Sequence, residues 1–484
     1  MSTTRTALLS LTRDVASPPL GLASIATYLR QEGVDCSTRI MDLNFGNPVR
    51  ETLDWQPDLV GLSAFSVQVP EVRRAAQRLR SHLKVPLILG GVHVSTLPAS
   101  LPPEFDVGVV GEGEQAMVEL VQAFQRHGHL RPAAVRDIAG LVWREDGRVV
   151  QTPPRPLVDP LDRVPYPDRS FVHPGYFKGV PLPAMGGRKV RTTALLTGRG
   201  CPYRCAFCAT TAFWGNKIRW HSVERVVEEV RYLVDSFGVE HLMVWDDLFA
   251  VNRKRVVEIT EALRQAGLWG RVKFSCQMRA NLMDEEMAST LWDLGVVSIC
   301  FGFESGSDKT LRYLKQSVTV EQNKQAMRIA KAKGFYVVGG LIFGSPGETL
   351  QDMEETLDLM DYMRRAGVDN AWCFTATPFP GTPMWEEGVS RGVLSPDIDF
   401  SRLNLYASLP LLLDDSVSPQ QFSHLVRRAN AKLRAIRAPS RRLRLKLLLA
   451  DPITTAKSFV IRRLIYRDWL RKRRPLPPAP GADG

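Results

Sequence analysis

The sequence lacks long apolar runs and is poor in cysteine. No apolar stretch among its 484 residues approaches the roughly 20 needed to span a bilayer, and Asp14 closely follows the short apolar run at the start. Neither a transmembrane helix nor a signal peptide is therefore predicted. Seven cysteines, an odd number spread over a long chain, do not suggest a disulfide framework. We expect a protein of the reducing cytoplasm.

Excess charge is confined to one end of the chain. The net charge is +12, and residues 427–474 alone contain 17 Lys and Arg against two Asp. The remainder is slightly acidic, so the basic character describes the tail and says little about the body of the protein. Long-period repeats and low-complexity sequence are absent before the Pro-rich end "RPLPPAPGADG", which we expect to be disordered.

The length exceeds one ordinary hydrophobic core, so two or three domains are expected. Residues 1–150 alternate amphipathic helices with the apolar runs "TALLS", "STRIM", "LVGLSAFS", "PLILGG" and "FDVGVVG". This pattern predicts a doubly wound, Rossmann-like parallel sheet. A hairpin with a turn at Asp146-Gly147 closes it. Residues 151–189 are rich in Pro and Gly and are predicted to be an extended linker.

A second alternating series fills residues 190–396. Its six strand candidates are "RTTALLT", "HLMVW", "VKFSC", "SICFGFE", "YVVGGLIF" and "NAWCFTA", and a helical stretch follows each of the first five. This is typical of a partial (β/α)6 barrel of the TIM type, in which active sites lie where the strands end. Residues 397–484 are predicted to form a helical, basic C-terminal region, becoming helical after Ser401. The predicted class is α/β.

Three cysteines occur together just after the first barrel strand. "TGRGCPYRCAFCAT" contains Cys201, Cys205 and Cys208 with the spacing C-x3-C-x2-C. Three thiolates on one loop can bind three corners of a soft metal cluster. A closed zinc site would need a fourth nearby ligand, and no Cys or suitably spaced His follows. A cubane with one open iron is the better interpretation, and zinc or core packing the weaker ones.

This spacing at the end of a first barrel strand resembles the radical SAM superfamily. The resemblance implies a [4Fe-4S] cluster on Cys201, Cys205 and Cys208. The open iron of that cluster binds the amine and carboxylate of S-adenosylmethionine (SAM). It also implies that Phe207, before the third cysteine, lies near the adenine.

Motifs later in the barrel add candidates for contacts to SAM or substrate. In "MVWDDLFAVN", Asp246 and Asp247 are adjacent, so at most one faces the interior, and Asp247 is the candidate. Arg279 of "CQMRANL" is expected to clamp a carboxylate bidentately. Glu304 of "FGFESGSD" is expected to accept hydrogen bonds from the SAM amine or ribose. A solvated charge at the barrel rim is the alternative in each case.

The segment "GGLIFGSPGET" resembles the fifth strand of the superfamily's barrel. Gly340, Ile342 and Gly344 share one face by the period of two, and glycines allow a ligand close to the backbone. Gly340 and Ile342 are therefore cofactor-binding candidates.

The first domain resembles the cobalamin-binding domain that precedes the barrel in one large branch of radical SAM enzymes. Gly- and Ser-rich strand ends form a crevice in which a flat macrocycle could lie. The cofactor-binding candidates are Ser63, Ser66, Gly90, Gly91, Gly111 and Gly113. The D-x-H-x-x-G motif that supplies a cobalt ligand is missing, with Asn44 at the position of its His, and His93 is a weakly favoured substitute. A plain nucleotide-binding domain is disfavoured because no G-x-G-x-x-G follows the first strand.

Together the resemblances imply a class B methyltransferase-like enzyme that uses [4Fe-4S], SAM and cobalamin. The expected reaction is C-methylation of an unactivated carbon. The alternative is a cobalamin-dependent radical cyclisation, ring contraction or oxidation of a lipid or natural-product precursor. RNA methylthiolation is disfavoured because that family's first domain supplies three further cysteines, and here this domain contains only Cys36. A cobalamin sensor would have no use for the cysteine loop.

The expected partners are a small-molecule or lipid substrate and an electron donor such as flavodoxin or ferredoxin. In "KSFVIRRLIYRDWLRK", Arg463, Arg467 and Arg471 recur at helical spacing beside an apolar face. A helix packed on the barrel with a solvated basic side is the most favoured interpretation. An anionic membrane surface, which would place the protein at the inner membrane face, is the next, and nucleic acid is less favoured.

Overall fold

The computed structural model describes residues 3–13 and 17–437, which contain a mixed seven-stranded sheet and a parallel six-stranded sheet joined by a linker. The first sheet has seven strands: β1 Thr4–Ser10, β2 Cys36–Asp42, β3 Leu59–Ser63, β4 Leu87–Gly90, β5 Val107–Val109, β6 Leu141–Glu145 and β7 Arg148–Gln151. Its helices are α1 Leu20–Gln31, α2 Pro48–Trp55, α3 Val69–Arg80, α4 Val92–Thr96, α5 Gly113–His127 and α6 Pro132–Val135.

The strand order of the first sheet is β2-β1-β3-β4-β5-β6-β7. The first five strands are parallel, while β5, β6 and β7 pair antiparallel. Apolar side chains are buried on both faces of the sheet, which is why the strands are nearly continuous apolar runs. The order reverses between β1 and β3, and a crevice opens there at the carboxyl ends of the strands. The predicted Asp146-Gly147 turn joins β6 to β7, and both residues have positive φ.

The linker is less extended than its Pro content predicts. It contains short 3-10 turns and a two-stranded sheet of β8 Val180–Pro181 with β9 Lys189–Val190. Arg169, in one of these turns, is fully buried and donates to Glu229 at 2.8 Å and to the carbonyl of Ala194 at 3.0 Å. Arg225 completes this group, which we call the outer network, at 2.8 Å from Glu229. The buried ion pairs bind the linker to the outside of the barrel.

The second sheet has six parallel strands in the order β10-β13-β14-β15-β16-β17, and β10 and β17 form its open edges. The strands are β10 Thr192–Leu195, β13 His241–Val244, β14 Lys273–Met278, β15 Val296–Glu304, β16 Tyr336–Phe343 and β17 Asn370–Thr375, and β11 Gly198–Arg199 and β12 Arg219–Trp220 form a separate ribbon. The helices are α7 Thr210–Trp214, α8 Val223–Phe237, α9 Arg253–Gln265, α10 Glu285–Leu294, α11 Asp308–Leu314, α12 Val320–Lys333, α13 Leu350–Arg365, α14 Pro383–Ser390 and α15 Pro419–Arg437.

The barrel helices begin and end at residues that stop a helix locally. Ser222, Asn252 and Asp284 each accept a backbone N–H from the first turn of α8, α9 and α10. Such a cap stabilises a helix by about 1 kcal/mol. Gly238 and Gly295 end α8 and α10 in the left-handed conformation. These signals explain why the alternation of strands and helices could be predicted from the sequence.

The described part of the C-terminal region contains a helix, as predicted, but this helix begins later than Ser401. Residues 403–418 form turns and irregular structure, and the regular helix α15 begins only at Pro419. Asp414 accepts hydrogen bonds from the backbone N–H and the hydroxyl of Ser416, which favours a turn over a helix. The segment with Arg463, Arg467 and Arg471 lies outside the described residues. Within the described part of the chain, no helix has both the length and the apolar character to cross a membrane.

Candidate active site

The cysteine loop leaves the barrel at the end of β10 and is supported by the ribbon of β11 and β12. Cys201, Cys205 and Cys208 are free thiols, and Cys205 is buried. Gly200, just before the loop, has φ +102°, and a Cβ there would lie 2.3 Å from the carbonyl oxygen of Lys217. Only glycine fits this close approach, so the ribbon determines where the loop begins.

Two adjacent carboxylates tie the loop to the end of β13. Asp246 is buried and accepts hydrogen bonds from the backbone N–H of Thr197 at 2.6 Å and from its hydroxyl at 2.5 Å. Burial raises the pKa of Asp246 to about 7, although these hydrogen bonds oppose the shift. Asp247 points the other way and accepts from the backbone N–H of Gly200 at 3.0 Å and the hydroxyl of Thr210 at 2.9 Å. The two residues thus face opposite directions, as the strand geometry predicts.

Arg279 contacts the cysteine loop rather than an open space. Its Nη1 donates to the sulfur of Cys205 at 3.1 Å, and its Nη2 donates to the carbonyls of Lys315 and Gln316 at 3.0 Å each. The guanidinium also lies 3.8 Å from the ring centroid of Tyr203. The predicted bidentate clamp on a ligand carboxylate is therefore not what the structure shows, because both Nη donors already have protein partners.

Burial controls the protonation of the cysteine thiols. It raises the pKa of Cys201 to about 11, and the nearby Cys205, Cys208 and Asp247 raise it further. Burial also raises the pKa of Cys205, and the charges of Arg279 and Lys315 oppose this shift. Protein groups alone thus leave the thiols of Cys201 and Cys205 protonated at neutral pH. A bound cationic metal centre would deprotonate them.

Over residues 3–13 and 17–437, no three His, Cys, Asp or Glu side chains converge on a point where one metal ion could bind. A cubane spreads its thiolates over different irons, so its ligands need not converge on one point.

Sequence motifs that are far apart meet at the barrel interior. Phe207 packs against the apolar cluster that contains Ile342, which brings together two of the residues predicted to contact SAM. Gly302 and Gly340 are paired neighbours on β15 and β16, and a Cβ on Gly340 would approach no atom closer than 3.8 Å. Neither glycine has a side chain that projects from the sheet at this position.

Glu304 ends β15 in the left-handed region, with φ +60°, and its buried carboxylate lies 3.3 Å from the ammonium of Lys315. Burial raises the pKa of Glu304, and Lys315 opposes the shift. Lys315 also donates to the carbonyl of Gly302 at 2.6 Å. Gln316 and Ser317 have positive φ values, which such residues rarely adopt, and they turn the chain just after Lys315. Because this turn is not evident from the sequence, the burial of Lys315 could not be predicted.

A cavity of about 310 Å³ lies between the two sheets, at the crevice of the first and the rim of the second. Five predicted residues of the first domain line it, namely Ser63, Gly90, Gly91, Gly111 and Gly113. The barrel contributes Trp245 and Asp247. A Cβ on Gly91 would lie 2.8 Å from the backbone of Ala64, so this wall needs glycine. Phe65 and Trp245 also line the cavity, and their rings are exposed.

Ser66 and His93 do not line the cavity, in contrast to the prediction for Ser66. Ser66 begins a 3-10 turn, and its hydroxyl lies 3.1 Å from Nδ1 of His93. The other ring nitrogen of His93 lies 2.8 Å from the hydroxyl of Ser100, and burial lowers the pKa of His93 to about 4. His93 is thus a buried, hydrogen-bonded residue and not an available cobalt ligand. Asn44 donates to the carbonyl of Thr12 and to Tyr176, away from the cavity.

Comparison with known proteins assigns both halves of the chain. Residues 195–360 match the radical SAM superfamily, and residues 8–121 match the B12 binding domain. An uncharacterised methyltransferase of Pyrococcus horikoshii is 30% identical over 462 residues, which cover 93% of this chain and 92% of the relative. The chain belongs to the cobalamin-binding radical SAM family. Its members combine a [4Fe-4S] cluster, SAM and cobalamin.

Other relatives of this radical SAM enzyme agree. The cytidylyl-2-hydroxyethylphosphonate methyltransferase of Streptomyces wedmorensis is 28% identical over 446 residues and shares 80% of each chain. The methyltransferase TsrM of Kitasatospora setae, solved with tryptophan and a SAM analogue, has a TM-score of 0.67 at 21% identity. This likeness covers 81% of our chain and 76% of TsrM and establishes the fold. The predicted family, fold class, enzyme class and cofactors are confirmed, and the relatives support methylation.

The residues present fit these cofactors. Three free thiols on one loop suit a cubane with an open iron, and the Gly-walled cavity suits the flat face of a corrin. The apolar cluster of Phe207 and Ile342 suits an adenine. A small-molecule substrate and an electron donor are consistent with the chemistry of radical SAM enzymes.

Proposed function

We propose that the enzyme transfers a methyl group to an unactivated carbon of a small molecule, which binds between the cysteine loop and the cavity. One observation carries the proposal. Asp247 lines the cavity and also accepts a hydrogen bond from the backbone of the cysteine loop, so the two cofactor sites share a wall. Transfer between two cofactors requires such closeness.

In this proposal Cys201, Cys205 and Cys208 hold the cluster, and Arg279 donates a hydrogen bond to the sulfur of Cys205. Hydrogen bonds to cluster sulfurs raise the reduction potential, so Arg279 tunes the cluster. Its role is thus revised from the clamp expected at first.

We propose that Phe207, Gly340 and Ile342 form the surface on which the nucleoside of SAM lies. Glu304, held by Lys315, faces the polar part of SAM. Ser63, Gly90, Gly91, Gly111 and Gly113 carry the corrin, and Asp247 separates the two sites. Ser66 acts indirectly, by holding His93.

When bound, the cofactors supply a carbon radical and a transferable methyl group. The protein orients them and excludes water. The Gly-rich walls allow backbone contact with the macrocycle, and the closely packed barrel core limits solvent access.

The test is anaerobic reconstitution with iron, sulfide and hydroxocobalamin, followed by reaction with methyl-deuterated SAM and a metabolite extract. We expect iron and sulfide for one cubane per chain, one corrinoid per chain, and a deuterated methyl group in a product. Cys205→Ala should lose iron but keep the corrinoid, and Cys36→Ala is the matched control. A product without the label, formed with one deoxyadenosine per turnover, would instead establish cyclisation, ring contraction or oxidation.

We further propose that the substrate is an apolar or lipid-like molecule reached at a membrane surface. The support is the sequence of residues 457–472, with basic residues at helical spacing beside Ile461, Ile465 and Trp469. Flotation with anionic liposomes should carry the full chain but not a chain ending at residue 440. Equal flotation of both would remove this proposal and leave methylation untouched.

A further inference from the structure

A cluster of four charged side chains crosses the boundary between the two domains. Arg199 lies 2.5 Å from Glu112 and 2.6 Å from Glu114, and Arg219 lies 3.0 Å from Glu112. We call Arg199, Arg219, Glu112 and Glu114 the interface network. The side chains of both glutamates are less than a tenth exposed.

The interface network has further hydrogen-bond partners among the described residues, although Nε and Nη2 of Arg219 are buried without one. Glu112 also accepts the backbone N–H of Val158 at 2.6 Å, and Glu114 accepts the hydroxyl of Ser24 at 2.8 Å. Both guanidiniums lie over the ring of Trp214, at 5.1 and 5.7 Å from its centroid. Two cations face two anions, so burying the network leaves no net charge.

The elements that the network joins are those that border the two cofactor sites. Glu112 lies between Gly111 and Gly113 of the cavity wall, where α5 begins. Arg199 is in β11, two residues before Cys201, and it pairs with Arg219 of β12 across the ribbon. Glu112, Glu114 and Arg199 themselves line the cavity. These ion pairs are therefore one direct connection between the corrin wall and the cysteine loop, beside the hydrogen bond from Gly200 to Asp247.

Arg199 suits this position because one planar guanidinium contacts two carboxylates through two different nitrogens. This geometry restrains both the distance and the rotation between the two elements, and an ammonium could restrain only the distance. Burial acts to raise the pKa of Glu114, but the charge of Arg199 and the hydrogen bonds from Arg199 and Ser24 bring it below its ordinary value. The pair of Glu114 and Arg199 therefore stays ionised at neutral pH.

We propose that Arg199 is a positioning residue that sets the separation and orientation of the cluster relative to the corrin by locking the cysteine loop to the loop before α5. Its loss leaves both cofactors bound but at variable separation. The proposal concerns geometry and does not depend on whether the product is methylated.

The experiment measures this geometry without a substrate. Protein reconstituted with hydroxocobalamin and then reduced contains two paramagnetic centres, cob(II)alamin and the reduced cluster, and pulsed EPR reports their separation. We expect one narrow distribution in the wild type, a broad one in Arg199→Gln and an intermediate one in Arg199→Lys. Arg30→Gln is the matched control, since it breaks an exposed ion pair between α1 and the linker, away from both sites.

Hydrogen exchange of the cofactor-free protein provides a second readout. In Arg199→Gln, amides of residues 110–118 and 198–209 should exchange about tenfold faster, while those of α8 keep their protection. If Arg199→Gln does not fold, Arg199→Lys and Glu114→Gln decide the question. Unchanged EPR distributions in folded variants with full iron and corrinoid contents overturn the proposal. So does equal broadening in Arg30→Gln.

Discussion

The two buried Arg–Glu networks have the same chemistry but different positions. In the outer network, Arg169 and Arg225 share Glu229 between the linker and α8, and none of the three residues lines the cavity. In the interface network, Arg199 joins two glutamates of the other domain, and three of its four members line the cavity. Burial and pairing alone therefore do not reveal whether an ion pair stabilises the fold or positions a functional site.

The networks should differ in what fails when they are broken. The outer network fixes a segment onto one domain, so its loss affects stability. The interface network joins two domains whose main apolar clusters lie on different sheets and which also share a small apolar cluster around Val69, Trp385 and Phe400, so we expect its loss to affect their relative position. Three variants, Glu229→Gln, Asp246→Asn and Arg30→Gln, test how burial and pairing of a charged side chain determine the loss of stability. They follow from the largest expected effect to the smallest.

Glu229→Gln should have the largest effect, a loss of about 3–5 kcal/mol in the free energy of unfolding. The change leaves two buried guanidiniums, those of Arg169 and Arg225, without a carboxylate. Urea unfolding of the cofactor-free protein, followed by circular dichroism, measures it. The exposed neighbour Glu228 provides the control, as Glu228→Gln. A change in EPR separation without a loss of stability would reverse the roles assigned to the two networks.

Asp246→Asn tests a buried carboxylate that has hydrogen bonds but no ion pair. Because burial raises its pKa from 3.8 to about 7, the folded state holds a proton that the unfolded state releases between these values. Stability from this group is complete below about pH 4 and is lost as the pH rises to about 7, by at most about 1.4 kcal/mol per pH unit.

The variant should remove that slope, as measured by unfolding at several pH values between these limits. The exposed Asp358, changed to Asn, serves as the control because it should leave the slope intact. Parallel stability curves for wild type and Asp246→Asn would mean that the protonation of Asp246 does not change on folding over this pH range.

Arg30→Gln should have the smallest effect, about 0.2–1 kcal/mol. Its ion pair with Asp168 is 2.6 Å long, but the Arg30 side chain is 57% exposed. Thermal unfolding compared with that of Arg126→Gln, another exposed arginine, measures the difference. A loss as large as that of Glu229→Gln would show that exposure does not separate strong from weak pairs in this protein.

Much of the fold could be predicted because its signals are local. Apolar runs, helix caps at Ser222 and Asn252, and the Asp146-Gly147 turn all depend on residues close in sequence. The C-x3-C-x2-C loop is a local signal too. The packing of Phe207 against the cluster that contains Ile342 is non-local, and the sequence names each residue as a cofactor-binding candidate without predicting that they meet.

The rest depended on contacts between distant segments. Ser63 and Ser66 are three residues apart, and the sequence predicts that both bind the cofactor. The 3-10 turn after Phe65 instead directs the hydroxyl of Ser66 to His93. Arg279 was expected to bind a ligand because nothing in the sequence shows that the turn at Lys315 presents carbonyls to it. The ion pairs of Arg199 with Glu112 and Glu114 could not be inferred from the sequence of either domain alone.

The walls of the cavity come from two domains, which affects how a bound ligand changes the stability of the protein. A ligand that touches both walls binds only the assembled arrangement, so mass action stabilises that arrangement by about 2.7 kcal/mol at a concentration of 100 times Kd. The melting temperature of the enzyme should therefore rise with the concentration of free corrinoid. In cells with little corrinoid, more of this enzyme would lack its ligand and would be more easily degraded by proteases.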